Sequence, residues 1–172
     1  MNDIYSSAQI VLIAAYGDSM DFGVPGISYR RHVVQHHEEI FGLRVTNIIR
    51  EVEGDPLALW HTRGWTYQES ILARRRVYFT NVQAFFECGQ SVWHEDQYNA
   101  DKVRNEFASH GLITPDDGSR FDAFVRHLRN YTSRMLTYQS DAYNAFSGIS
   151  KSLYEGTFLY SLPQVDVDRA LR

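Results

Sequence analysis

The sequence predicts an α/β fold, and three features of the 172-residue chain support that prediction. A short apolar run at residues 9–15 has the composition of a strand in a parallel sheet. Residues 76–88 alternate with period two around a tight connection, which is typical of a β-hairpin. From Phe121 onward, apolar residues recur every three or four positions and indicate helices. We therefore expect a partial sheet with flanking helices, a β-hairpin and a C-terminal helical segment.

The composition is that of a globular domain with an aromatic core. Hydrophobic residues make up 44% of the chain and aromatic residues 14%, enough to bury a core. The net charge is −4, and the only basic run that stands out is Arg74-Arg75-Arg76. This balance does not indicate nucleic-acid binding through a broad basic face. A charge run between a helix and a strand usually forms a solvated edge, which is what we expect here.

The single cysteine and the N-terminal sequence indicate the cellular compartment in which we expect the protein. Cys88 cannot form an intrachain disulfide, which fits a reducing environment, and its place at the end of an aromatic strand predicts a small core residue. The apolar run at 10–15 is too short for a signal peptide or a membrane span. We expect a soluble, cytoplasmic protein that binds neither nucleic acid nor membrane.

The first half of the chain is expected to alternate between short elements. Residues 1–7 have the pattern of the end of a helix, and 9–15 that of a strand buried on both faces, followed by a glycine-rich loop at 16–26. Residues 40–52 are rich in β-branched side chains and predict one or two strands. Residues 57–72 predict one helix or two short ones, because Gly64 weakens a single continuous helix.

The second half predicts a hairpin and then helices. In the hairpin formed by 76–80 and 83–88, we expect Arg76, Tyr78 and Thr80 on one face, and Val77 and Phe79 on the other. Two apolar stripes predict the helices, with Ser140 as the N-cap between them. The first stripe comprises Phe121, Phe124, Val125, Leu128, Tyr131 and Met135, and the second Ala142, Ala145, Phe146, Ile149 and Leu153.

The segment most suggestive of chemistry is 60–69, WHTRGWTYQE, in which Glu69 follows Trp65 by four residues. At helical spacing the two side chains share a face. An indole beside a carboxylate can exclude water and raise the pKa of the acid, which suits an acid, a base or a clamp for sugar hydroxyls. Spacing alone favours the alternative that Trp65 is core and Glu69 is a solvated residue paired with an arginine.

Two neighbours of Glu69 in the sequence are candidates for binding a substrate. The guanidinium of Arg63 suits phosphate oxygens, and the alternative is an ion pair or a carbonyl cap in the core. Trp60 and Trp65 are candidate stacking platforms for an adenine or nicotinamide ring, and the alternative is ordinary core packing.

A histidine cluster suggests a metal site only weakly. His32 and His36 are four residues apart, which would suit a pair of ligands on a helix. The segment lacks the HExxH pattern and a third ligand, so we predict no metal site.

The central segment also resembles a known family. Residues 63–69, RGWTYQE, and the residues after them resemble the third sequence block of the fungal heterokaryon incompatibility (HET) domain. Residues 1–8 with 10–15 resemble the segment that leads out of the second block, and 136–149 resemble the helical region that often follows the domain. The residues that carry the central resemblance after 63–69 are Leu72, Arg74-Arg75, Tyr78-Phe79-Thr80, Gln83 and Phe86-Glu87-Cys88.

The family's opening blocks, which read roughly SYxWG and WIDxxCIxQ, do not occur here. The resemblance therefore implies the rear part of a HET domain, with Met1 as an internal methionine of a longer gene product. We expect the C-terminal portion of a HET domain at 1–110, a helical extension at 119–160 and a flexible tail at 161–172.

The step from Trp65 to Glu69 is also similar to the Trp-Cys-x-x-Glu helix of TIR domains, with Thr66 in place of the cysteine. HET domains have been grouped with TIR-like folds, so the resemblance implies a partial TIR-like sheet. In catalytic TIR domains that glutamate contacts the ribose next to nicotinamide and supports cleavage of NAD. The resemblance implies no cofactor, NAD as substrate, Glu69 as the catalytic residue, and Trp65, Arg63 and Trp60 as substrate-binding residues.

The family resemblance implies a role in fungal non-self recognition and programmed cell death. The implied partners are other HET-domain or incompatibility proteins, or further copies of this chain. The alternative is a catalytically inactive interaction or regulatory module, because a sheet without its first strand and first phosphate loop loses half of a nucleotide site. Such a module would join other HET proteins through its sheet edge or its helices. A fragment that does not fold alone is a third alternative.

Overall fold

The computed structural model describes residues 2–31, 33, 36–47, 58–89, 91–95, 111–155, 158–159 and 162–170. They form α-helices and β-strands in two compact units, so the predicted α/β class is confirmed. The helical unit comprises Met1–Gln9, Thr62–Arg74 and Ala108–Arg172, and the sheet unit Ile10–His61 and Arg75–Phe107. The predicted boundaries at residues 110, 119 and 161 stay predictions.

Within the described residues, the sheet unit is built from a mixed four-stranded sheet and a separate hairpin. The strands are β1 (Val11–Ala14), β2 (His37–Ile40), β3 (Leu43–Thr46), β4 (Arg75–Phe79), β5 (Ala84–Cys88) and β6 (Ser91–His94). The sheet has the order β1-β4-β5-β6, with β1 parallel to β4 and the other pairs antiparallel. Strands β2 and β3 pair with each other through a two-residue turn, Phe41-Gly42, in which both residues have positive φ.

Strand β1 confirms the predicted parallel strand but corrects its burial. Ile13 is buried against Tyr78, whereas Leu12 is 68% exposed and Ala14 is also exposed. The expectation of burial on both faces was therefore wrong. A short apolar run is compatible with a strand covered on one face as well as with a strand covered on both, so the run alone does not determine the burial. In the described sheet, β1 is an edge strand.

The predicted hairpin is confirmed as β4 and β5. Its register places Val77 opposite Phe86 and Tyr78 opposite Phe85, and the N–H of Thr80 donates to the carbonyl of Gln83 (3.0 Å) to close the turn. Arg76, Tyr78 and Thr80 share the buried face, and Val77 and Phe79 lie half-buried on the other, so the predicted division into two faces is confirmed. Strand β6 was not predicted from the sequence, since its four residues show no clear alternation.

The basic run at residues 74–76 is not a uniformly solvated edge. Arg76 is only 4% exposed and forms an ion pair with Glu87 (3.1 Å) on the neighbouring strand. The expectation was wrong for this arginine because β4 begins at Arg75, which makes Arg76 the first inward-facing position.

Within the described residues, the helical unit contains five α-helices and a two-residue strand pair. The helices are α1 (Asn2–Ser7), α2 (Gly64–Leu72), α3 (Arg120–Thr132), α4 (Ala142–Leu153) and α5 (Val167–Ala170), and the strands are β7 (Phe158–Leu159) and β8 (Leu162–Pro163). A 3-10 turn, Leu59–Thr62, precedes α2, so of the two predicted alternatives, one helix or two short ones, the second is observed. Beyond β8, Asp166 accepts a hydrogen bond from the Tyr154 hydroxyl (2.6 Å), and the flexibility predicted for this tail stays a prediction.

The N-cap of α3 was not predicted, and the N-cap of α4 differs from the expectation. The Ser119 hydroxyl accepts from the N–H of Asp122 (3.2 Å) and caps α3. Asp141, not Ser140, is the N-cap of α4, because a 3-10 turn at Gln139–Asp141 carries the chain into the helix one residue later. The predicted N-cap was therefore wrong.

The predicted apolar stripes of α3 and α4 form the core of the helical unit together with α2. Met135 is the exception, at 60% exposure, because it lies beyond the end of α3. The buried core residues are Tyr67, Ile71, Ala123, Phe124, Tyr131, Ala145, Phe146, Ile149, Leu153 and Tyr154.

A buried histidine connects α2 to α3. His127 has no solvent exposure, and its Nε2 lies 2.9 Å from the carbonyl oxygen of Leu112, so Nε2 must carry the proton. Its Nδ1 then accepts from the hydroxyl of Tyr67 (2.8 Å). Burial lowers the pKa of His127 to about 4, so the ring is neutral at physiological pH and suits this pair of bonds.

A buried glutamine connects α2 to α4. Gln68 is 2% exposed, and its Oε1 accepts from the backbone N–H of Gly148 (2.8 Å). A Cβ at position 148 would lie 2.5 Å from that oxygen and 3.0 Å from Cδ1 of Leu72. The glycine therefore permits the close approach of the two helices.

We predict that Gly148→Ala destabilises the protein, although alanine favours a helix. The added methyl group must displace the buried Gln68 amide, and overpacking of this kind costs about 1–3 kcal/mol. Asn144→Ala, at an exposed position of the same helix, is the matched control and should leave stability unchanged or raise it. Urea unfolding measures both, and a Gly148→Ala protein as stable as the wild type would contradict the proposed tight packing.

Candidate functional site

Helix α2 positions the candidate carboxylate, and its first turn is fixed by the chain that follows α3. The N–H of Gly64 donates to the carbonyl of Met135 (2.8 Å), and the N–H of Met135 donates to the carbonyl of Thr62 (2.7 Å). These two bonds form a parallel bridge between Arg63 and Met135. The backbone of Arg63 is therefore held at the start of the helix that carries Glu69.

Glu69 lies between bulk water and the core. Its side chain is half-buried, and burial raises the pKa of its carboxyl group. Two neighbours oppose that shift, because the hydroxyl of Tyr5 donates a hydrogen bond to the carboxylate and the positive charge of Arg63 favours the ionised form. The direction of the shift agrees with the sequence prediction, whereas the catalytic role of Glu69 stays a prediction.

Tyr5 is the site residue that the sequence analysis missed. It lies on α1, which packs against α2. Burial, the nearby charge of Glu69 and the hydrogen bond to that carboxylate raise the pKa of Tyr5 to about 12. The hydroxyl therefore keeps its proton at physiological pH and remains a donor. No spacing rule relates residues 5 and 69, so sequence offered no signal for this pair.

Trp65 packs against the helical core and uses its polar atom there. The indole N–H donates to the carboxylate of Asp141 (3.3 Å), just before α4 begins. The ring is half-buried, so part of it remains accessible. Its predicted place in a substrate pocket stays a prediction.

Arg63 is exposed, so the alternative of an ion pair within the core does not apply to it. Its carbonyl accepts from the hydroxyl of Thr66 (2.8 Å), which tightens the first turn of α2. Its guanidinium acts on Glu69 through charge. The structure thus brings together Tyr5, Arg63 and Glu69 within the helical unit.

Trp60 belongs to the sheet unit instead. Its ring packs edge-on against Tyr78, with a centroid distance of 5.6 Å, beside the buried residues Ile13 and Ala15. This is the core packing that was the alternative to a stacking platform. Its predicted role toward a substrate is not tested by this packing.

The histidine segment forms part of a strand rather than a helix where it is described. His37 begins β2, and the N–H of His36 donates to the side-chain oxygen of Asn47 (2.8 Å). His32, the other member of the predicted pair, lies outside the described residues. Over the part of the chain that the structure describes, no group of three or more His, Cys, Asp or Glu side chains could hold a metal ion.

The geometry of Glu69 suits the binding of hydroxyl groups and of developing positive charge. A carboxylate has about four lone-pair sites, and the single phenol of Tyr5 occupies only one of them. Partial burial strengthens the interactions of the remaining sites with a ligand. The exposed guanidinium of Arg63 adds a fork that suits an anionic group.

The comparison with protein families agrees with the resemblance found in the sequence. Residues 1–69 match the family model described as heterokaryon incompatibility protein (HET). The chain carries a HET-domain segment. That segment includes Tyr5 and Arg63 and ends on Glu69, so the three residues that the structure brings together all lie within the match.

Two other comparisons gave no match, neither among curated proteins nor among solved structures. The TIR-like relationship of the HET segment therefore stays a prediction. No described helix combines the length and the hydrophobicity that crossing a membrane requires.

We predict that Glu69→Gln raises the free energy of unfolding at pH 7. The folded protein holds this carboxyl with a pKa above that of the unfolded chain, so ionisation at neutral pH opposes folding. In wild type, this loss of folding free energy is absent below the unfolded pKa of about 4.3. It grows between the unfolded and the folded pKa and is complete above the folded pKa. The advantage of Glu69→Gln should therefore shrink on acidification.

The control for this prediction is Glu39→Gln, which changes an exposed glutamate on β2. Urea unfolding from pH 4 to pH 8 compares the two variants with wild type. A Glu69→Gln protein that is less stable than wild type at pH 7 would show that its interactions with Tyr5 and Arg63 outweigh burial.

Proposed function

We propose that this protein acts in fungal non-self recognition, the heterokaryon incompatibility response, and that its HET segment contributes to programmed cell death. The match of residues 1–69 to the HET family supports this proposal. We further propose a cytoplasmic location, which suits the reduced thiol of Cys88. The proposed protein partners are other HET-domain or incompatibility proteins, or further copies of this chain.

We propose that the chemistry of the HET segment is hydrolysis of the N-glycosidic bond of NAD, with NAD as substrate and no cofactor. The half-buried carboxylate of Glu69 is the observation that supports it. The bond between ribose C1′ and the nicotinamide nitrogen breaks, and its electron pair leaves with the ring. Nicotinamide departs as a neutral molecule, so this step needs no acid.

The carboxylate stabilises the positive charge that develops on the ribose and accepts hydrogen bonds from the sugar hydroxyls. Water then adds to C1′ and loses its proton to solvent. The products are nicotinamide, ADP-ribose and one proton. Arg63 binds a phosphate group of NAD in this proposal, and Trp65 stacks on one of its rings. Because Asp141 already accepts from the Trp65 N–H, the Trp65 ring face is the part that can stack on a ligand.

We predict that the purified protein releases nicotinamide from NAD and that Glu69→Ala lowers kcat/KM by about 100-fold or more, a typical effect of removing a group that stabilises the transition state. Glu39→Ala, which alters an exposed glutamate on strand β2, is the matched control and should retain wild-type turnover. Chromatographic quantification of nicotinamide measures both variants.

Retention of full turnover by Glu69→Ala would remove Glu69 from the mechanism. Absence of nicotinamide release from the folded wild type would remove the enzymatic proposal and leave the family role.

A second candidate function is an interaction module without catalysis. The edge strand β1 supports it, because Leu12 is 68% exposed within the HET-matched segment and β1 pairs only with β4 among the described strands. Apolar edge strands readily accept a further strand from another chain. The proposed occupant is a strand of another HET-domain protein.

We predict that Leu12→Lys weakens association with a full-length HET-domain protein by about tenfold or more if β1 carries the contact, since lysine on an edge opposes strand pairing. Leu43→Lys is the matched control, because Leu43 is 70% exposed on a strand of the separate hairpin. Co-purification and light scattering test the two variants, and equal association of both would exclude the β1 edge.

A further inference from the structure

We propose that one face of the four-stranded sheet docks an amphipathic α-helix from a partner protein, with carboxylates at the end of the helix that meets Arg75. This inference goes beyond the proposed reaction and does not depend on it. It also names a surface other than the backbone edge of β1. The central row of side chains, which defines this open face, comprises Leu12, Val77, Phe86 and Trp93.

The register of the strands places these four side chains in one line across the sheet. Val77 has Leu12 and Phe86 as its partners on the two neighbouring strands. Phe86 has Trp93 as its other partner, and the centroids of their two rings lie 5.2 Å apart. Residues directly opposite each other in a sheet point to the same side. Each of the four strands therefore contributes one apolar side chain to the open face.

The two faces of the sheet differ in burial. The opposite face carries Ile13, Tyr78 and Val92, all of which are buried. On the open face, Leu12 is 68% exposed and Trp93 is 37% exposed. Strands β1 and β4 are parallel, and sheets with parallel strands are normally covered by helices on both faces. A helix is therefore the element that fits the open face.

The size of the open face favours a single helix over a second copy of this chain. Four strands of about four residues present a flat area of ~19 Å by ~13 Å, or about 250 Å². A stable interface between two proteins buries about 800 Å² on each partner, so two such faces packed together fall short. A helix is about 10 Å across and reaches ~19 Å in about 13 residues, so one helix covers the row.

The charge at one end of the open face determines which helix fits it. Arg75 is exposed, and alternation places it on the same side of β4 as Val77. Near the opposite end of the strands, the carboxylate of Glu95 is already paired with Arg31 (2.6 Å). Carboxylates on a docked helix therefore find their complementary charge at Arg75, which fixes the direction of the helix on the sheet.

We predict that a synthetic helical peptide of about 14 residues, with a leucine stripe and glutamates at one end, binds the protein saturably. Arg75→Glu should weaken this binding about fivefold, because an attraction becomes a repulsion. It should strengthen binding of the same peptide with lysines in place of the glutamates by a similar factor. Arg44→Glu, at an exposed arginine of the separate hairpin, is the matched control and should change neither affinity. Fluorescence anisotropy of the labelled peptides measures the dissociation constants.

Trp93→Ala separates the open face from the β1 edge. Trp93 lies on β6, at the other side of the described sheet from β1. Docking on the open face predicts that the affinity for the glutamate peptide falls about tenfold, a typical cost of truncating an interfacial tryptophan. Pairing at the β1 edge predicts no change. Arg75→Glu alters only an exposed side chain, so it tests the face if Trp93→Ala does not fold.

Three results would overturn the proposal. The first is an unchanged preference between the glutamate and lysine peptides in Arg75→Glu. The second is equal binding of a scrambled peptide that has the same composition and no leucine stripe. The third, from light scattering on the protein alone, is a dimer that dissociates in Trp93→Ala, which would assign the face to a second copy. None of these measurements involves NAD, so their outcome is independent of the proposed reaction.

Discussion

The partial burial of the Glu69 carboxylate is the constraint on which the candidate site depends. Removing a carboxylate from water is unfavourable, and the raised pKa of Glu69 shows that its surroundings do not fully offset that cost. The Tyr5 hydroxyl and the Arg63 charge offset part of it. A protein selected only for stability would place glutamine or a hydrophobic residue here. The unfavourable charge is therefore what makes this position a candidate for chemistry, by the reasoning that perturbed ionisable groups concentrate at functional sites.

Three consecutive residues of α2 face three different helices, and this arrangement keeps the carboxylate in place. Tyr67 donates to His127 on α3 and Gln68 accepts from Gly148 on α4, whereas Tyr5 on α1 opposes the rise that burial causes in the pKa of Glu69. Successive side chains on a helix project about 100° apart, so neighbouring positions face different partners. The first two bonds are buried, where a lost partner is costly. They fix the rotation of α2 about its axis, and this rotation in turn directs the third side chain toward α1.

Local patterns in the sequence predicted the elements well, whereas pairs distant in sequence escaped prediction. Alternation at 76–88 indicated the hairpin and the division of its residues between two faces, and the apolar stripes indicated α3 and α4. The step from Trp65 to Glu69 identified the helix of the candidate site. Periodicity could not show that Leu12 faces water or that Arg76 is buried, since both depend on which strands lie beside them. Tyr5 was missed for the same reason, because its partner is distant in the chain and only packing of α1 on α2 brings them together.

The HET-matched segment and the compact units do not coincide, and this has a structural consequence. Residues 1–69 contribute α1 and most of α2 to the helical unit, and β1, β2 and β3 to the sheet unit. The partners that fix α2 lie later in the chain, since His127 and Gly148 belong to α3 and α4. The strand that pairs with β1 also follows the matched segment. A chain ending at residue 69 would therefore leave Tyr67 and Gln68 without their buried partners and β1 without its neighbour. The helices after the matched segment are thus required to hold Glu69 in place.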